Sequence, residues 1–130
     1  EIKDTNDTSL SFLLDLSNLK TLFLGDLGAE YELKILDKLS DINILKVGHH
    51  GSNTSTSDEL VTRTSPEVAL LSVGENNRYG HPNIDVINKL ESAGTRIART
   101  DRNGRVGIIL NTSSYCIEAE KSLEKYCLAL

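Results

Sequence analysis

The stretch Ile42-Asn43-Ile44-Leu45-Lys46-Val47-Gly48-His49-His50-Gly51-Ser52 decides how this sequence folds. Its first part, through Val47, is a short run rich in aliphatic and β-branched residues, which is typical of a buried strand. The glycines on either side of the histidine pair permit tight turns and close approach of the backbone. The stretch therefore predicts a central strand that ends at a histidine-bearing loop.

Strands and helices alternate on both sides of this stretch. In chain order, the predicted elements are strands Ser9–Asp15 and Lys20–Gly25, helix Ala29–Leu39, strand Ile42–Val47, a helix capped by Ser57 that runs to Arg63, strand Glu67–Val73, helix Pro82–Ala93, strands Arg96–Arg99 and Val106–Leu110, edge strand Tyr115–Ala119 and tail helix Glu120–Leu130. Before the edge strand and the tail, the order is β-β-α-β-α-β-α-β-β. Its βαβαβ run predicts an α/β fold in which right-handed crossovers join parallel strands.

Local signals add detail to three of these elements. The alternation of Leu10, Phe12 and Leu14 predicts that the first hairpin buries one face against the core. The Asn103-Gly104 pair predicts a second hairpin between the strands that flank it. Pro82 suits the first turn of the helix that it begins.

Composition places the chain among single-domain globular proteins. Its 130 residues are 38% hydrophobic and 25% charged, which argues against disorder and allows one hydrophobic core. The net charge of −5 argues against a protein that binds nucleic acid by neutralising phosphates, but not against an enzyme that meets phosphates through a metal. No apolar run approaches the ~20 residues that span a bilayer. The absence of Met favours a piece of a longer protein, or a removed start residue.

The two cysteines, Cys116 and Cys127, lie 11 positions apart near the end of the chain. Their spacing matches no Cys-x-x-Cys metal or redox motif. A disulfide between them is possible, and the favoured interpretation is two cysteines that pack in the interior.

Candidate functional residues follow three of the predicted strands, at the point where each strand ends. They are Asp26, His49, His50, Ser52, Asn77, Arg78 and His81. Because parallel strands end at one edge of a sheet, where ligands bind in α/β folds, we expect these residues to lie close together. Imidazole and carboxylate groups together suit Zn or Mn, and a guanidinium group suits phosphate.

Each candidate also has an ordinary structural interpretation, which is the stronger one for any residue taken alone. Asp26 could cap a helix, and a single loop histidine is usually structural. Arg78 could be a solvated charge, and Ser52 belongs to a Ser- and Thr-rich segment of the kind found in many surface loops. The functional interpretation therefore depends on clustering at one edge of the sheet.

Three ordered blocks of the sequence resemble a known family. They are Leu24–Gly28, Leu45–Ser57 and Ser72–Pro82, and Arg99–Gly104 also fits. Over roughly residues 6 to 112, the chain closely resembles the metallo-β-lactamase-fold domain of the ComEC DNA-internalisation competence protein family. The order and spacing of the blocks make this resemblance specific.

The resemblance implies an αββα sandwich that hydrolyses DNA phosphodiesters at a site with two divalent metal ions, Zn or Mn. By position, Asp26 is similar to the bridging metal ligand and one residue of the histidine pair to the last ligand. His50 is favoured as that ligand, which leaves His49 to contact the phosphate or the leaving group, although the order could be reversed. His81 is similar to a substrate-side catalytic residue. The predicted substrate-binding residues are Ser52, Asn77 and Arg78.

The chain departs from the family at its main metal cluster. That cluster is a His-x-His/Asp-x-Asp-His motif in the N-terminal half of the fold, and no histidine precedes His49 here. The chain therefore resembles the C-terminal half of the domain, in residues 1–112, with an edge strand and a short tail in residues 113–130. With half of a two-metal site, the chain alone is expected to be inactive. An uncovered apolar sheet face would favour a homo-oligomer.

The partners that the resemblance implies are DNA, as a phosphodiester substrate, and the rest of a parent membrane channel protein. The implied location is a soluble domain of a bacterial integral membrane protein, on the extracytoplasmic side. One alternative is a non-catalytic DNA- or protein-interaction module with a degenerate form of the fold. Another is a hydrolase of a different phosphodiester, such as a choline phosphoester or a cyclic nucleotide.

Overall fold

The computed structural model describes residues 4–121 and 125–130, whose strands build two sheets. The first sheet is mixed, because its first two strands are antiparallel and the later neighbours are parallel. In spatial order its five strands are β1 (Phe12–Leu16), β2 (Leu19–Phe23), β3 (Ile44–Lys46), β4 (Val68–Leu71) and β5 (Arg96–Arg99). The α/β class predicted from the sequence is confirmed, and the architecture is that of an α/β sandwich fragment.

Helices pack on one face of the first sheet. Among the described residues they are α1 (Ala29–Glu32), which continues as a 3-10 segment over Leu33–Lys38, α2 (Asp58–Thr64) and α3 (Ile84–Ser92). The short helix α4 (Thr100–Asn103) follows β5 and buries no residue. Leu60 of α2 and Leu90 of α3 are buried in one cluster with Leu45 and Ala69 of the sheet. Burial of a leucine of this kind stabilises the fold by about 1.5–3 kcal/mol. No helix in residues 4–121 and 125–130 is long and apolar enough to span a bilayer.

Helix α2 begins where the sequence predicts, whereas α3 begins later than predicted. The Ser57 hydroxyl accepts a hydrogen bond from the Leu60 N–H at 3.2 Å, which caps α2. The cap of α3 is Asn83, whose Oδ1 accepts from the Asp85 N–H at 2.8 Å. Pro82 therefore does not begin this helix but belongs to the loop before it, after a cis peptide bond.

The second sheet packs on part of the opposite face. Its antiparallel strands are β6 (Val106–Leu110), β7 (Ser114–Ala119) and β8 (Lys125–Ala129). Tyr115 and Ile117 of β7 are buried with Ile44 and Val68 of the first sheet in a second core. The Tyr115 hydroxyl also donates to the Glu67 carboxylate at 2.7 Å. Apolar packing and a partly buried hydrogen bond therefore join the two sheets.

The prediction of a second hairpin, at the Asn103-Gly104 pair, is wrong. Strand β5 pairs in parallel with β4, whereas β6 pairs with β7 in the other sheet. Between them, α4 is closed by Asn103, whose Oδ1 accepts from the Arg99 N–H at 2.8 Å. Gly104, with φ +68°, then ends the turn. The pairing of β5 with β4 thus overrides the local hairpin preference of the Asn-Gly pair.

Three other expectations also differ from the structure. The predicted edge strand Tyr115–Ala119 belongs to β7, which is the middle strand of the second sheet. Residues 125–129 of the predicted tail helix form strand β8, because they pair with β7, and residues 122–124 lie outside the described residues. The first hairpin does not bury the face that carries Leu10, Phe12 and Leu14, which are 79%, 47% and 39% exposed. Strand β1 lies at the edge of the sheet and all five of its residues are exposed, although Phe12 stacks on Phe23 of β2. Association of two copies through this face stays a prediction.

Cys116 and Cys127 form a disulfide, so the interpretation as two separate packing cysteines is wrong. The two residues lie directly opposite each other in the register of β7 and β8. Because β8 is an edge strand of the second sheet, the disulfide attaches it covalently to the strand that packs on the core.

Reduction of this disulfide is expected to lower the free energy of unfolding by about 2–4 kcal/mol, because the cross-link restricts the unfolded chain. Urea unfolding followed by circular dichroism, with and without dithiothreitol, measures the change. The double variant Cys116→Ser/Cys127→Ser is the control, since the reductant has no bond to break in it. Equal midpoints for the unmodified chain in both conditions would contradict the expected stabilisation.

Candidate functional site

The candidate functional site lies at the carboxyl edge of the first sheet, where three loops follow β2, β3 and β4. The structure brings Asp26 Oδ1 to 3.9 Å from His50 Nε2. The ring centroids of His49 and His81 are 5.9 Å apart. The convergence expected from the topology is therefore observed, because parallel strands deliver the loops that follow them to one edge.

The loop after β3 is a tight left-handed turn, Gly48–Gly51, which we term the histidine turn. His49 and His50 adopt left-handed φ values of +45° and +55°, which cost an L-residue roughly 1–2 kcal/mol each. The His49 N–H donates to the Gly25 carbonyl at 2.9 Å, and the Ser55 hydroxyl donates to the Gly48 carbonyl at 2.9 Å. Hydrogen bonds from both sides thus hold a strained turn in place.

Gly51 joins the histidine turn to the loop that carries His81. Its φ is +81°, and a Cβ at this position would lie 2.7 Å from Pro82 Cβ and 2.9 Å from Leu71 Cδ2. The Gly51 carbonyl accepts from the Asn83 N–H at 2.8 Å. The backbones of the two loops therefore approach too closely for any side chain at this position.

A hydrogen bond determines which ring nitrogen of His50 is free. His50 Nδ1 lies 2.7 Å from the Ser72 carbonyl oxygen, which can only accept, so Nδ1 carries a proton. In the neutral ring, Nε2 keeps its lone pair on the side of Asp26. Metal-ligating histidines commonly show this arrangement, with one nitrogen donating to a carbonyl and the other free.

His49 contacts different groups. Its Nδ1 lies 3.3 Å from Thr54 Oγ1, which in turn lies 3.0 Å from Ser52 Oγ. Ser52 is buried, whereas Thr54 is exposed. The Ser52 hydroxyl therefore supports the residue that contacts His49, and its predicted contact with substrate stays a prediction.

A buried carboxylate positions the segment that follows the histidine turn. Glu32 of α1 is fully buried and accepts from the backbone N–H groups of Thr56 and Ser57 at 2.7 and 2.8 Å. Lys89 Nζ donates to the Thr56 carbonyl at 2.7 Å. Sequence reasoning missed Glu32, because a glutamate in a short amphipathic helix looks like a solvent-facing residue.

The loop after β4 borders a pocket of about 200 Å³ beside the histidine turn. The pocket is lined by His50, Val73, Gly74, Asn77, Tyr79 and His81. Asn77 Oδ1 accepts from the His81 N–H at 3.0 Å, and its Nδ2 donates to the carbonyls of Gly74 and His81 at 3.2 and 2.8 Å. Asn77 therefore holds the loop together, while Arg78 beside it is exposed.

The Arg99–Gly104 block fixes the pocket wall from the neighbouring strand. The Thr100 hydroxyl accepts from the Val73 N–H at 2.7 Å and donates to the Val73 carbonyl at 2.8 Å. Arg99 donates to both carboxylate oxygens of Asp101, at 3.0 and 2.6 Å. These hydrogen bonds lower the pKa of Asp101, so the pair stays charged near neutral pH.

Two ionisable groups of the site have shifted pKa values. Burial lowers the pKa of His81 below 6.5, and the nearby His49 and His50 lower it further. His81 is therefore neutral at pH 7 and can accept a proton or a hydrogen bond. Burial also lowers the pKa of Lys46, against the opposing effect of Asp26.

Asp26 and His50 fit part of a metal-ligand set but not a complete one. Two ligands that bind one zinc ion at ~2.1 Å lie about 3.4 Å apart, which is close to the observed 3.9 Å. Within residues 4–121 and 125–130, no group of three or more His, Cys, Asp or Glu side chains could hold a metal ion. Because zinc usually takes three or four protein ligands, these residues do not provide a whole site.

Comparison with known proteins identifies relatives of this chain. No family model matches the chain. ComE operon protein 3 of Bacillus subtilis is 37% identical over 103 residues, which are 78% of this chain and 13% of that protein. Recombination protein 2 of Haemophilus influenzae is 34% identical over 103 residues, which are 79% of this chain and 13% of the relative.

Competence protein ComA of Neisseria gonorrhoeae is 35% identical over 109 residues, which are 80% of this chain and 16% of that protein. The names of these relatives indicate a competence-protein family. The chain spans only 13% of the length of the first two relatives.

The variant Gly51→Ala is expected to lower the free energy of unfolding by about 2–4 kcal/mol, because left-handed strain adds to the clash with Pro82. Urea unfolding measures the change. Gly80→Ala is the matched control, since Gly80 also has a positive φ, +71°, but has no atom within 4 Å of the added Cβ. Equal losses in the two variants would show that the close approach to Pro82 is not the constraint.

His81 is expected to titrate below pH 6.5, since burial disfavours its charged form. Between its folded pKa and 6.5, the unfolded chain binds more protons, so stability falls as the pH is lowered through this window. Nuclear magnetic resonance titration of the ring protons measures the pKa, and unfolding at several pH values measures the stability. In His81→Gln this contribution should vanish. A His81 midpoint at or above 6.5 would contradict the effect of burial.

Proposed function

We propose that this chain is part of a metal-dependent phosphodiesterase domain that acts on DNA during competence. The single observation that carries the proposal is the convergence of Asp26, His50 and His81 at one sheet edge, in a chain that resembles competence proteins. The orientation of His50, with Nδ1 donating to a carbonyl and Nε2 facing Asp26, supports a role as metal ligand.

The chain's own residues have distinct parts in this proposal. Asp26 and His50 are two ligands of a centre for divalent metal ions, Zn or Mn, that is completed by ligands outside these residues. His49 and the neutral His81 lie on the substrate side, where each can contact a phosphate oxygen or a leaving group. The exposed Arg78 provides a positive charge for the DNA backbone.

The location and partners of this domain are part of the same proposal. The chain is a domain of a longer membrane-associated protein of the DNA-uptake machinery, and its partners are DNA and the rest of that protein. The names of the relatives support a role in competence, and their greater length supports a longer protein. We also propose that the complete site holds two divalent ions and that the domain lies on the extracytoplasmic side of the membrane.

A second candidate function is a non-catalytic DNA- or protein-interaction module. The observation in its favour is that no group of three potential metal ligands exists within residues 4–121 and 125–130. This candidate predicts that the protein does not cleave DNA with any metal ion, even at its full natural length. The two candidates therefore differ in a property that can be measured.

The protein at its full natural length is expected to cleave DNA in the presence of Mn²⁺ or Zn²⁺. Because Asp26 and His50 are ligands in this proposal, Asp26→Asn and His50→Gln should each reduce the rate by more than about 100-fold. Asp58→Asn is the matched control, since Asp58 is an exposed acidic residue on α2.

Calorimetric titration of Mn²⁺ and Zn²⁺ into the 130-residue chain gives a second readout that is independent of cleavage. Weak binding that disappears in Asp26→Asn but persists in Asp58→Asn is the expected result. Cleavage by the natural protein that is unchanged in Asp26→Asn and His50→Gln would overturn the assignment of these ligands. Failure to cleave with any divalent ion would favour the interaction module.

A further inference from the structure

Tyr79 is an aromatic residue that the site described above does not use. It is 84% exposed, whereas Tyr115 is buried in the core and Phe12 stacks on Phe23 at 4.7 Å between ring centroids. A single exposed aromatic side chain is not by itself a binding site. The position of the Tyr79 ring determines which ligands it can contact.

The ring of Tyr79 lies at the pocket beside the histidine turn. It is nearly parallel to the ring of His81, with an angle of 16° between the planes and 6.0 Å between the centroids. Both rings line the pocket of about 200 Å³, together with Val73 and His50.

The loop that carries Tyr79 is already ordered. The three hydrogen bonds of Asn77 close it from Gly74 to His81. Lys121 Nζ also bonds to the Glu75 carboxylate at 3.0 Å. A ligand that stacks on the ring therefore does not have to order this loop, which removes one of the usual costs of binding.

Apart from the ring nitrogens of His50 and His81, the pocket offers flat and apolar surface rather than groups that distinguish one base from another. Both N–H groups of the Asn77 side chain already donate to backbone carbonyls, and its oxygen already accepts from the His81 N–H. Val73 contributes an aliphatic surface, and its backbone N–H is bonded to Thr100. Ligand recognition here depends on stacking, which tolerates every base because each has a π-face.

We propose that Tyr79, with His81, forms a stacking site for an unpaired nucleobase of DNA. The inference rests on the proposed function, since it places the base next to the phosphodiester that the histidines contact. A base inside a duplex is covered by its neighbours on both faces, so only a single-stranded or flipped-out base can stack on this ring. The site therefore selects unpaired DNA without reading its sequence.

Fluorescence anisotropy of labelled oligonucleotides at low salt, with the 130-residue chain as the binding protein, tests this site. The probes are a ten-nucleotide thymidine strand, an abasic strand of the same length and a duplex of the same length. Tyr79→Ala should weaken binding of the thymidine strand on the order of tenfold, and Tyr79→Phe should leave it within about twofold, because the ring and not the hydroxyl makes the contact.

Leu10→Ala is the matched control, because Leu10 is 79% exposed and is not among the residues that line the pocket. It should bind the thymidine strand as the unmodified chain does, and circular dichroism should show that all variants are folded. The unmodified chain should bind the abasic strand and the duplex as weakly as Tyr79→Ala binds the thymidine strand.

Equal affinity for the thymidine and abasic strands, no effect of Tyr79→Ala, or no binding of the thymidine strand would each overturn the stacking site. Failure of the proposed function has a different signature. If the natural protein does not cleave DNA but Tyr79→Ala still weakens binding of the thymidine strand, the stacking site stands and the hydrolase assignment fails. If Asp26→Asn abolishes cleavage while Tyr79→Ala leaves the affinity for the thymidine strand unchanged, the hydrolase assignment stands and the stacking site fails.

Discussion

The left-handed turn Gly48–Gly51 is the constraint on which the candidate site depends. One side of the turn is bonded to the Gly25 carbonyl beside Asp26, and Gly51 packs against Pro82 on the other side. A single turn therefore holds together the loops that follow three different strands. A relaxed backbone here would separate His50 from Asp26 and His49 from His81. The unusual φ values of the histidines are thus part of how the site is assembled.

The support of the site is buried or partly buried, whereas its reactive groups are exposed or half-exposed. Glu32 fixes the segment after the histidine turn, and Thr100 fixes the pocket wall at Val73. In contrast, Asp26 and His50 have side chains that are 43% and 52% exposed. Rigid elements that present polar groups to solvent are typical of binding and catalytic sites.

Much of the fold was predictable, because its signals are local. The apolar runs of β2 to β4 and the Ser57 cap of α2 were read directly from the sequence. The errors fall where a distant partner decides the outcome. The Asn103-Gly104 pair favours a hairpin locally, but the pairing of β5 with β4 places the two flanking strands in different sheets. Residues 125–129 have a weak helical pattern and become a strand because β7 is beside them.

The meeting of Asp26, the histidine pair and His81 is predictable from the amino-acid sequence, because parallel strands end at one edge of a sheet whatever the details of packing. The orientation of His50, with its free nitrogen toward Asp26, depends on the folded chain, because the other ring nitrogen bonds to a carbonyl 22 positions away. The burial of Glu32 and the exposure of Tyr79 also depend on contacts between distant segments. Such contacts leave no periodic pattern in the chain, so local sequence signals do not reveal them.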